Sequence, residues 1–468
     1  MSTNITRRGF LKSAAVAAGI TIVPSHLLCG APARVGRTYA ANEKVNVGII
    51  GAGGQGAVNR KWLQNDGANI VALCDVDAKR VEAAAKDHPG AKTWADFRKM
   101  LDEQKEIDGV MVSTADHTHA VASMMAMKLG KGVCTEKPLT HSVYEARALA
   151  EAARKYKVAT QLDNENHSAD GLRMLVEWVR AGAIGKVTEV HIWTDRPIWP
   201  QGIAQRPPTK PVPANLDWDL WIGPAPFRDF HEHLHPFSWR GWWDFGCGAL
   251  GDMGCHFWDS AFWALELGHP ATVEAEQEGN SKETGPNWST VTYQFPPVVK
   301  ETVAACRDPK QGVVVKWWDG RRPRKLPDGT VKYDIPNLPP RPEELEQNLK
   351  LPSNGSMFVG EKGTILVSDA ASPRLIPEEK MKAYQRPAPF IPRSKGHKIE
   401  WLEAIKGGPA AGSDFADYGG PLTEVVLLGN VAIRAGKKIE WDPVNLKAKN
   451  APDVDQYVKR EYRKGWEL

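Results

Sequence analysis

The chain of 468 residues is about three times the length of a typical domain, so we expect two domains with accessory segments. Apolar residues make up 42% and charged residues 25%, which is typical of a folded globular protein and excludes a disordered or fibrous chain. The formal charge is +4, but residues 1–42 carry five basic residues and no acidic one. The remainder is therefore close to neutral, and nucleic acid is not an expected partner.

Residues 1–42 are interpreted as an export signal and linker. Paired Arg7 and Arg8 precede an apolar run over residues 14–23, which is much shorter than the roughly 20 residues that span a bilayer. This pattern resembles a twin-arginine signal, the route for proteins that fold before export. We expect a periplasmic protein with no stable membrane span; the alternative is an ordinary helix that begins with arginines. Leu28 directly before Cys29 fits a lipidation site poorly.

Residues 43–166 are predicted to form a nucleotide-binding domain. An apolar strand over residues 45–50 leads into a glycine-rich turn, and such glycines allow a tight bend and a close approach of backbone to a pyrophosphate. A second strand over residues 70–74 ends at Asp75, whose carboxylate can bind ribose hydroxyls and repel a 2′-phosphate. NAD is therefore favoured over NADP. Besides Asp75, the cofactor-binding candidates here are Gly51, Gly53, Gly54, Gln55 and Gly56.

Strands and helices continue to alternate. Strands are predicted at residues 109–113, 132–135 and 158–162, and helices at residues 117–129 and 142–156. Strands separated by helices imply a doubly wound parallel sheet.

Three motifs follow one another along the chain: STADHTH at residues 113–119, TEKPL at 135–139 and GDMGCH at 251–256. Their order and spacing resemble those of the Gfo/Idh/MocA oxidoreductases, the relatives of glucose–fructose oxidoreductase and inositol dehydrogenase. The resemblance covers roughly residues 45–440. It implies an α/β fold with an N-terminal Rossmann domain, followed over residues 167–440 by an α/β domain with a large open mixed sheet. Family members often use that sheet to form homo-oligomers, here a dimer or tetramer. Residues 441–468 remain as a charged C-terminal tail.

The segment after the fifth predicted strand departs from the family pattern. Asp163 and Glu165 stand where relatives tend to have glycine and a neutral or basic residue. Two additional carboxylates near the expected pocket leave the identity of the substrate open.

The catalytic candidates are Lys137, Asp252 and His256. Oxidation of a hydroxyl requires a base for its proton and a donor that stabilises the developing negative oxygen. Asp252 and His256 are four residues apart and share one face of a helix, so His256 is the candidate acid/base, and Asp252 orients it or binds the substrate. Lys137 is the candidate donor. The alternatives are that Lys137 is a solvated lysine in a turn and that His256 is a histidine packed on a helix. Further cofactor-binding candidates are Thr114, His119, Glu136 and Lys137.

Tryptophan is unusually frequent, with 18 in the chain and a cluster between Trp193 and Trp263. Indole faces pack against sugar rings, which predicts a carbohydrate site; the alternative is an aromatic core or an interface between subunits. The substrate-binding candidates are Asn164, Asn166, Arg240, Trp242, Trp243 and Asp252. His231, His233 and His235 alternate and are compatible with a metal site, but solvated loop histidines explain them equally well and hydride chemistry requires no metal.

The C-terminal half is predicted to contain strands at residues 291–295 and 313–317 and a hairpin at 358–367. Helices are expected at 399–405 and 422–433. Residues 321–352, rich in proline and charge, are expected to form an extended surface excursion.

Export narrows the expected function because no soluble pool reoxidises NADH outside the cytoplasm. We therefore expect an exported NAD-dependent oxidoreductase that acts on a CH–OH group of a carbohydrate and retains its cofactor. One alternative is an NAD-dependent glycoside hydrolase or lyase that works by transient oxidation and elimination; a third possibility is a non-catalytic sugar-binding protein. The retained pair Asp252 and His256 favours the first, because such glycosidases generally depart from it.

Overall fold

The computed structural model describes residues 39–40, 42–368 and 371–468. The predicted export segment, including Arg7, Arg8 and Cys29, lies outside the described residues. In the part of the chain that is described, no helix is long and apolar enough to cross a membrane.

The N-terminal unit is built on six strands. They are β1 (Asn46–Ile50), β2 (Asn69–Cys74), β3 (Lys92–Trp94), β4 (Gly109–Val112), β5 (Gly132–Glu136) and β6 (Thr160–Asp163). The helices of this unit are α1 (Gln55–Asn65), α2 (Ala78–Asp87), α3 (Phe97–Glu103), α4 (Asp116–Lys128) and α5 (Val143–Tyr156). All strand pairs are parallel in the order β3-β2-β1-β4-β5-β6, which confirms the predicted doubly wound Rossmann sheet. The sequence analysis did not identify β3, α2 or α3.

Local sequence explains where α5 begins. Ser142 is its N-cap and accepts a hydrogen bond from Glu145 N, while the Glu145 carboxylate accepts one from Ser142 N. This reciprocal capping satisfies amide groups that the helix itself leaves unpaired. Strands β4 and β5, in contrast, are fully buried, and apolar residues make up β4 and the first three positions of β5, as expected for parallel strands with helices on both faces.

The C-terminal unit contains a mixed sheet of ten strands. They are β7 (Val187–Trp193), β8 (Thr272–Glu278), β9 (Trp288–Phe295), β10 (Val313–Lys325), β11 (Val331–Pro336), β12 (Gly355–Gly360), β13 (Gly363–Val367), β14 (Arg374–Ile376), β15 (Ile439–Asp442) and β16 (Lys447–Ala448). The remaining helices are α6 (Asp170–Arg180), α7 (Trp218–Ile222), α8 (Gly248–Leu265), α9 (Glu378–Ala383), α10 (His397–Ile405), α11 (Gly420–Ala435) and α12 (Asp455–Val458). The strand order is β14-β13-β12-β7-β10-β9-β8-β15-β16, with β11 paired to β10. The large mixed sheet and the hairpin of β12 and β13 confirm the expectations.

Two boundaries differ from the prediction. Strand β10 continues well past residue 317 and pairs with β11, so the first part of the expected surface excursion is a hairpin that extends the sheet. Strands β15 and β16 carry the sheet beyond residue 440, so the predicted charged tail begins inside the second unit.

Helix α10 returns to the N-terminal sheet although it belongs to the C-terminal part of the sequence. Its Trp401 and Ile405 pack where β4 and β5 begin, at Gly109 and Gly132. A Cβ at Gly109 would lie 2.8 Å from Ile405 Cδ1, and one at Gly132 would lie 2.7 Å from Ile405 Cγ1. The two glycines therefore make room for the helix, and α10 links the two units.

Candidate active site

A cavity of about 490 Å³ lies at the carboxyl ends of the parallel strands. Gly51, Asp75, Thr114 and Lys137, which follow β1, β2, β4 and β5, all line it. The opposite wall comes from the C-terminal unit through α8 and the segment around Trp239. Ligands of open α/β sheets bind at this edge, so the cavity is where the fold places a cofactor.

The glycine-rich turn forms one wall of the cavity by close backbone packing. Gly51 has a φ of +86°, which side chains disfavour, and a Cβ at Gly56 would lie only 1.7 Å from Gly51 O. Gly51, Gly53, Gly54 and Gln55 line the cavity, whereas Gly56 packs behind Gly51. Because the turn lacks side chains here, its backbone is open to the cavity. This arrangement fits the binding of the pyrophosphate of NAD.

Asp75 stands at the end of β2 as predicted. Its carboxylate accepts hydrogen bonds from Gly53 N and Asp77 N, each at 3.0 Å. Burial raises the pKa of Asp75, although the two backbone hydrogen bonds oppose that shift. The Arg80 side chain covers Gly53, where a Cβ would lie 2.3 Å from Arg80 Cδ. Asp75 is held rigidly against the turn and lines the cavity where the ribose of NAD would be bound.

The catalytic candidates come together on the facing wall, and Asp252 is the centre of the group. Lys137 Nζ donates to Asp252 O at 2.9 Å and to Asp252 Oδ1 at 3.1 Å, and Arg240 Nε donates to the same carboxylate at 3.3 Å. Burial would raise the pKa of Asp252, but the charges of Lys137 and Arg240 lower it overall. Asp252 therefore stays ionised and orients two cations, which differs from the expectation that it orients His256.

His256 lines the cavity one helical turn after Asp252. Burial lowers its pKa to about 3, and the positive charge of Lys137 acts in the same direction. Its Nδ1 is buried and has no hydrogen-bond partner among the described residues. The imidazole is therefore neutral at physiological pH.

Lys137 retains its charge although it is largely shielded from solvent. Burial acts to lower its pKa, but the charge of Asp252, joined by that of Glu136 once the pH is high enough to ionise it, outweighs burial and raises it. Glu136, also in the cavity wall, accepts a hydrogen bond from Asn59 Nδ2 at 2.8 Å. Burial, followed by the nearby Asp163, raises the pKa of Glu136 to about 8. The wall thus presents an ammonium donor beside a neutral carboxyl group.

Asp163 and Glu165, the two residues that depart from the family pattern, both line the cavity. Asp163 is buried and forms an ion pair with Lys398 of α10. Burial would raise the pKa of Asp163, but Lys398 lowers it overall. Asp163 is therefore neutralised from within the protein and is not a free negative charge facing a substrate.

Thr114 and His119 also line the cavity as predicted. His119 Nδ1 is 2.8 Å from Pro138 O, and its Nε2 is 3.1 Å from Thr114 O. Burial lowers the pKa of His119 to about 4, and the neutral ring carries a single N–H, so it donates to only one of these two carbonyl oxygens at a time.

Four predicted substrate-binding residues do not line the cavity. Asn164 is buried and donates to Asp259 Oδ2 at 3.1 Å, and Asn166 lies outside the cavity wall. Trp242 is fully buried in an aromatic cluster, with its ring 4.6 Å from that of His231, and Trp243 Nε1 donates to Asn280 Oδ1 at 3.1 Å. The structure places both tryptophans in the core and not in the cavity wall, whereas Trp239, a few residues earlier, lines the cavity.

Several cavity residues were missed by the sequence analysis. Trp239 and Phe237 flank the Arg240 guanidinium, whose Cζ lies 4.4 Å and 4.6 Å from their ring centroids. Asp116 accepts a hydrogen bond from Cys247 N at 3.0 Å, and burial raises its pKa to about 7. Trp466, far along the chain, lines the cavity as well. The only sequence signal for Trp239 was the tryptophan cluster, and Trp466 had none.

The three alternating histidines serve separate contacts. His235 lines the cavity with its Nε2 3.3 Å from Asp77 Oδ2, whereas His231 packs against Trp242. Among residues 39–40, 42–368 and 371–468, no group of His, Cys, Asp and Glu side chains is arranged to hold a metal ion.

Two family models match consecutive parts of the chain. A model described as "Oxidoreductase family, NAD-binding Rossmann fold" matches residues 45–163, and one described as "Oxidoreductase family, C-terminal alpha/beta domain" matches residues 175–340. The matched segments correspond to the parallel sheet and to much of the second unit, and together they cover more than half of the sequence.

Curated relatives include an inositol 2-dehydrogenase/D-chiro-inositol 3-dehydrogenase of Lacticaseibacillus casei, 32% identical over 145 residues, which is 30% of this chain and 42% of the relative. A glycosyl hydrolase family 109 protein of Saccharopolyspora erythraea is 32% identical over 207 residues, 40% of this chain and 45% of the relative. The chain thus spans less than half the length of these two relatives.

Solved structures share the fold over nearly their whole length. The WlbA dehydrogenase from Bordetella pertussis, in complex with NADH and UDP-GlcNAcA, superposes with a TM-score of 0.57 at 16% identity and covers 86% of this chain and 99% of its own. Levoglucosan dehydrogenase in complex with NADH gives a TM-score of 0.53 at 17% identity, with 85% and 98% covered. These structures support the two-unit fold.

Proposed function

The chain belongs to the Gfo/Idh/MocA oxidoreductase family and carries its NAD-binding Rossmann domain, and from this premise we propose that it oxidises a ring or polyol hydroxyl of a carbohydrate while retaining NAD. The observation that carries the proposal is the position of Lys137 and His256 in the cavity that also contains the glycine turn and Asp75. The two side chains have complementary protonation states, a charged donor and a neutral acceptor.

The reaction divides between these side chains. The neutral imidazole of His256 accepts the hydroxyl proton, and Lys137 Nζ donates a hydrogen bond to the oxygen as negative charge develops on it. NAD, when bound, accepts the hydride from the same carbon, so the alcohol loses a proton and a hydride and becomes a carbonyl. Asp252 holds Lys137 and Arg240 in place without taking up the proton.

The carbohydrate class is supported by the wall around Arg240. Trp239 and Phe237 offer ring faces that pack against the C–H face of a sugar, while the Arg240 and Asp252 side chains can bind its hydroxyls. Relatives named for inositol, and a solved structure named for levoglucosan, act on polyhydroxylated rings according to those names.

The second candidate is an NAD-dependent glycoside hydrolase or lyase. It is supported by the resemblance to glycosyl hydrolase family 109 proteins. The same Lys137 and His256 would serve a transient oxidation, after which the acidified neighbouring C–H group is deprotonated and the glycosidic leaving group is expelled. The retained Asp252 and His256 favour net oxidation.

The first experiment identifies the cofactor and the net reaction together. Denaturing the purified protein should release NAD(H), and adding carbohydrates to the intact protein should produce the near-ultraviolet absorbance of bound NADH. A keto-sugar should then restore the oxidised state. Release of an aglycone with no lasting NADH would favour the glycosidase, and binding of sugars with no change in NAD would favour the non-catalytic sugar-binding protein.

Export to the periplasm by the twin-arginine route remains our proposal, motivated by the order of Arg7, Arg8 and the short apolar run. Replacing both arginines with lysine retains charge and hydropathy but removes the receptor-read pair. The variant should accumulate in the cytoplasm, and unchanged export would contradict the proposal.

We also propose that the mixed sheet mediates a homo-oligomer, a dimer or tetramer, as the family resemblance suggests. Native mass spectrometry should find an even number of subunits. A monomer at micromolar concentration would contradict this expectation.

A further inference from the structure

Residues 459–468 fold back onto the cofactor cavity. Trp466, which is 5% exposed, forms part of the cavity wall. The guanidinium of Arg98 lies 4.0 Å above its ring centroid, and the Phe97 ring is 6.0 Å away. Asp96 lines the cavity beside Phe97, and its carboxylate binds the Arg98 guanidinium at 2.8 Å and 3.0 Å. The indole is therefore packed in a defined position at the start of α3.

The segment is anchored on both sides of the cavity. On the Rossmann side, Arg460 Nε and Tyr462 OH each donate to Glu145 Oε1 at 2.8 Å. Glu145 is fully buried, so this anchor is protected from solvent. On the other side, Arg463 forms an ion pair with Asp219 of α7 at 3.0 Å, and Arg463 N donates to Pro224 O at 3.1 Å. The segment thus spans the two walls.

The strand order shows which end of the cavity Trp466 occupies. It packs against residues that follow β3, next to β2 and Asp75, whereas Lys137 follows β5. Strands β3 and β5 are four positions apart, which is about 19 Å at the usual spacing between neighbouring strands. Trp466 therefore belongs to the Asp75 end, where the adenosine half of NAD is expected, and not to the reacting end.

We propose that Trp466 is a cofactor-binding residue and that residues 459–468 form a strap that retains NAD by closing the adenosine end of the cavity. The packed indole adds an aromatic surface for the cofactor, and the Arg463–Asp219 ion pair together with the Arg98 guanidinium holds the indole in place. The inference rests on NAD binding by the family domain and does not depend on which alcohol is oxidised.

The test measures how fast the cofactor leaves the full-length protein. Bound NADH is displaced by excess NAD in a stopped-flow instrument, and its fluorescence loss gives the dissociation rate. Trp466→Ala should release NADH about tenfold faster, because an aromatic wall contact is lost, and Trp466→Phe should lie between it and the wild type. Trp62→Ala is the matched control, since Trp62 is partly exposed on α1 and lies outside the cavity wall.

A second measurement distinguishes the loss of a direct contact between Trp466 and the cofactor from a general loss of structure. Affinities for ADP and for nicotinamide mononucleotide are compared in Trp466→Ala and the wild type, alongside thermal unfolding. Weaker ADP binding with unchanged mononucleotide binding would support the proposal. Equal release rates in Trp466→Ala and the wild type would overturn it, as would an equal loss of affinity for both ligands. Neither result bears on turnover, so the proposal can fail while the proposed function stands.

Discussion

The two ends of the cavity are built in different ways. At the cofactor end, the glycine turn supplies a stretch of wall made of backbone: Gly51 and Gly53 lack side chains where a Cβ would clash, and Asp75 is fixed by two amide groups. At the reacting end, the wall consists of charged side chains, with Asp252 holding Lys137 and Arg240. Substitutions can change the shape of the backbone part very little. At the reacting end, replacing a single side chain can change which substrate binds. The comparison suggests that binding of NAD and choice of substrate can be altered separately.

The largest expected effect concerns the cavity floor at the reacting end, where Asp163 at the end of β6 lies next to β5. Lys398→Met should lower the free energy of unfolding by about 3–5 kcal/mol, because it leaves the buried carboxylate of Asp163 without its cation. Lys395→Met is the matched control: Lys395 is exposed and pairs with Glu403 at 2.8 Å, so about 0.5 kcal/mol or less is expected. Denaturant unfolding measures both. Equal, small effects would show that the Asp163–Lys398 pair does not support the floor.

The next prediction separates the cavity tryptophan from its buried neighbour. Trp239→Ala should raise KM for the carbohydrate about tenfold with NAD affinity unchanged, because a ring face at the reacting end is lost. Trp242→Phe should leave KM unchanged but lower the free energy of unfolding by roughly 1–3 kcal/mol, since Trp242 is fully buried. Steady-state kinetics and unfolding are measured on both variants. A larger change in KM for Trp242→Phe would restore the original sequence prediction.

The third effect is a pH dependence at Asp116. Burial raises its pKa to about 7 in the folded protein, whereas the unfolded value is about 3.9. Stability is therefore fully present below about pH 4 and declines as the pH rises towards 7, because the unfolded state loses the proton first. In the cofactor-free protein, Asp116→Asn should remove this decline, which amounts to about 4 kcal/mol between pH 4 and pH 8 for these two pKa values. The exposed Asp102→Asn should show no such effect, and a parallel pH profile for the two variants would refute the assignment.

The two ends of the cavity also differ in how well the sequence alone predicts them. The glycine turn and Asp75 occur within one stretch of the chain, and strand, turn, helix and second strand are local patterns, so the cofactor end was identified correctly. Lys137, Asp252 and His256 could be found because family motifs mark them. Lys398 and Trp466 could not be found, since Lys398 reaches Asp163, and Trp466 reaches the cavity, from segments far along the chain. Trp239 and Trp242 are three residues apart, and only tertiary packing decides which one faces the cavity.

The central claim is that one cavity combines a cofactor end governed by Asp75 with a reacting end governed by His256 and Lys137. The most direct measurement is single-turnover reduction of pre-bound NAD by the best carbohydrate substrate, with NAD affinity measured in parallel. We predict that His256→Ala and Lys137→Ala each slow reduction by about 10²–10⁴ and retain NAD, with effects that are not additive. Asp75→Ala should weaken NAD and improve the relative affinity for NADP, while reduction at saturating NAD stays within a few fold. Near-normal reduction in both His256→Ala and Lys137→Ala would contradict the account.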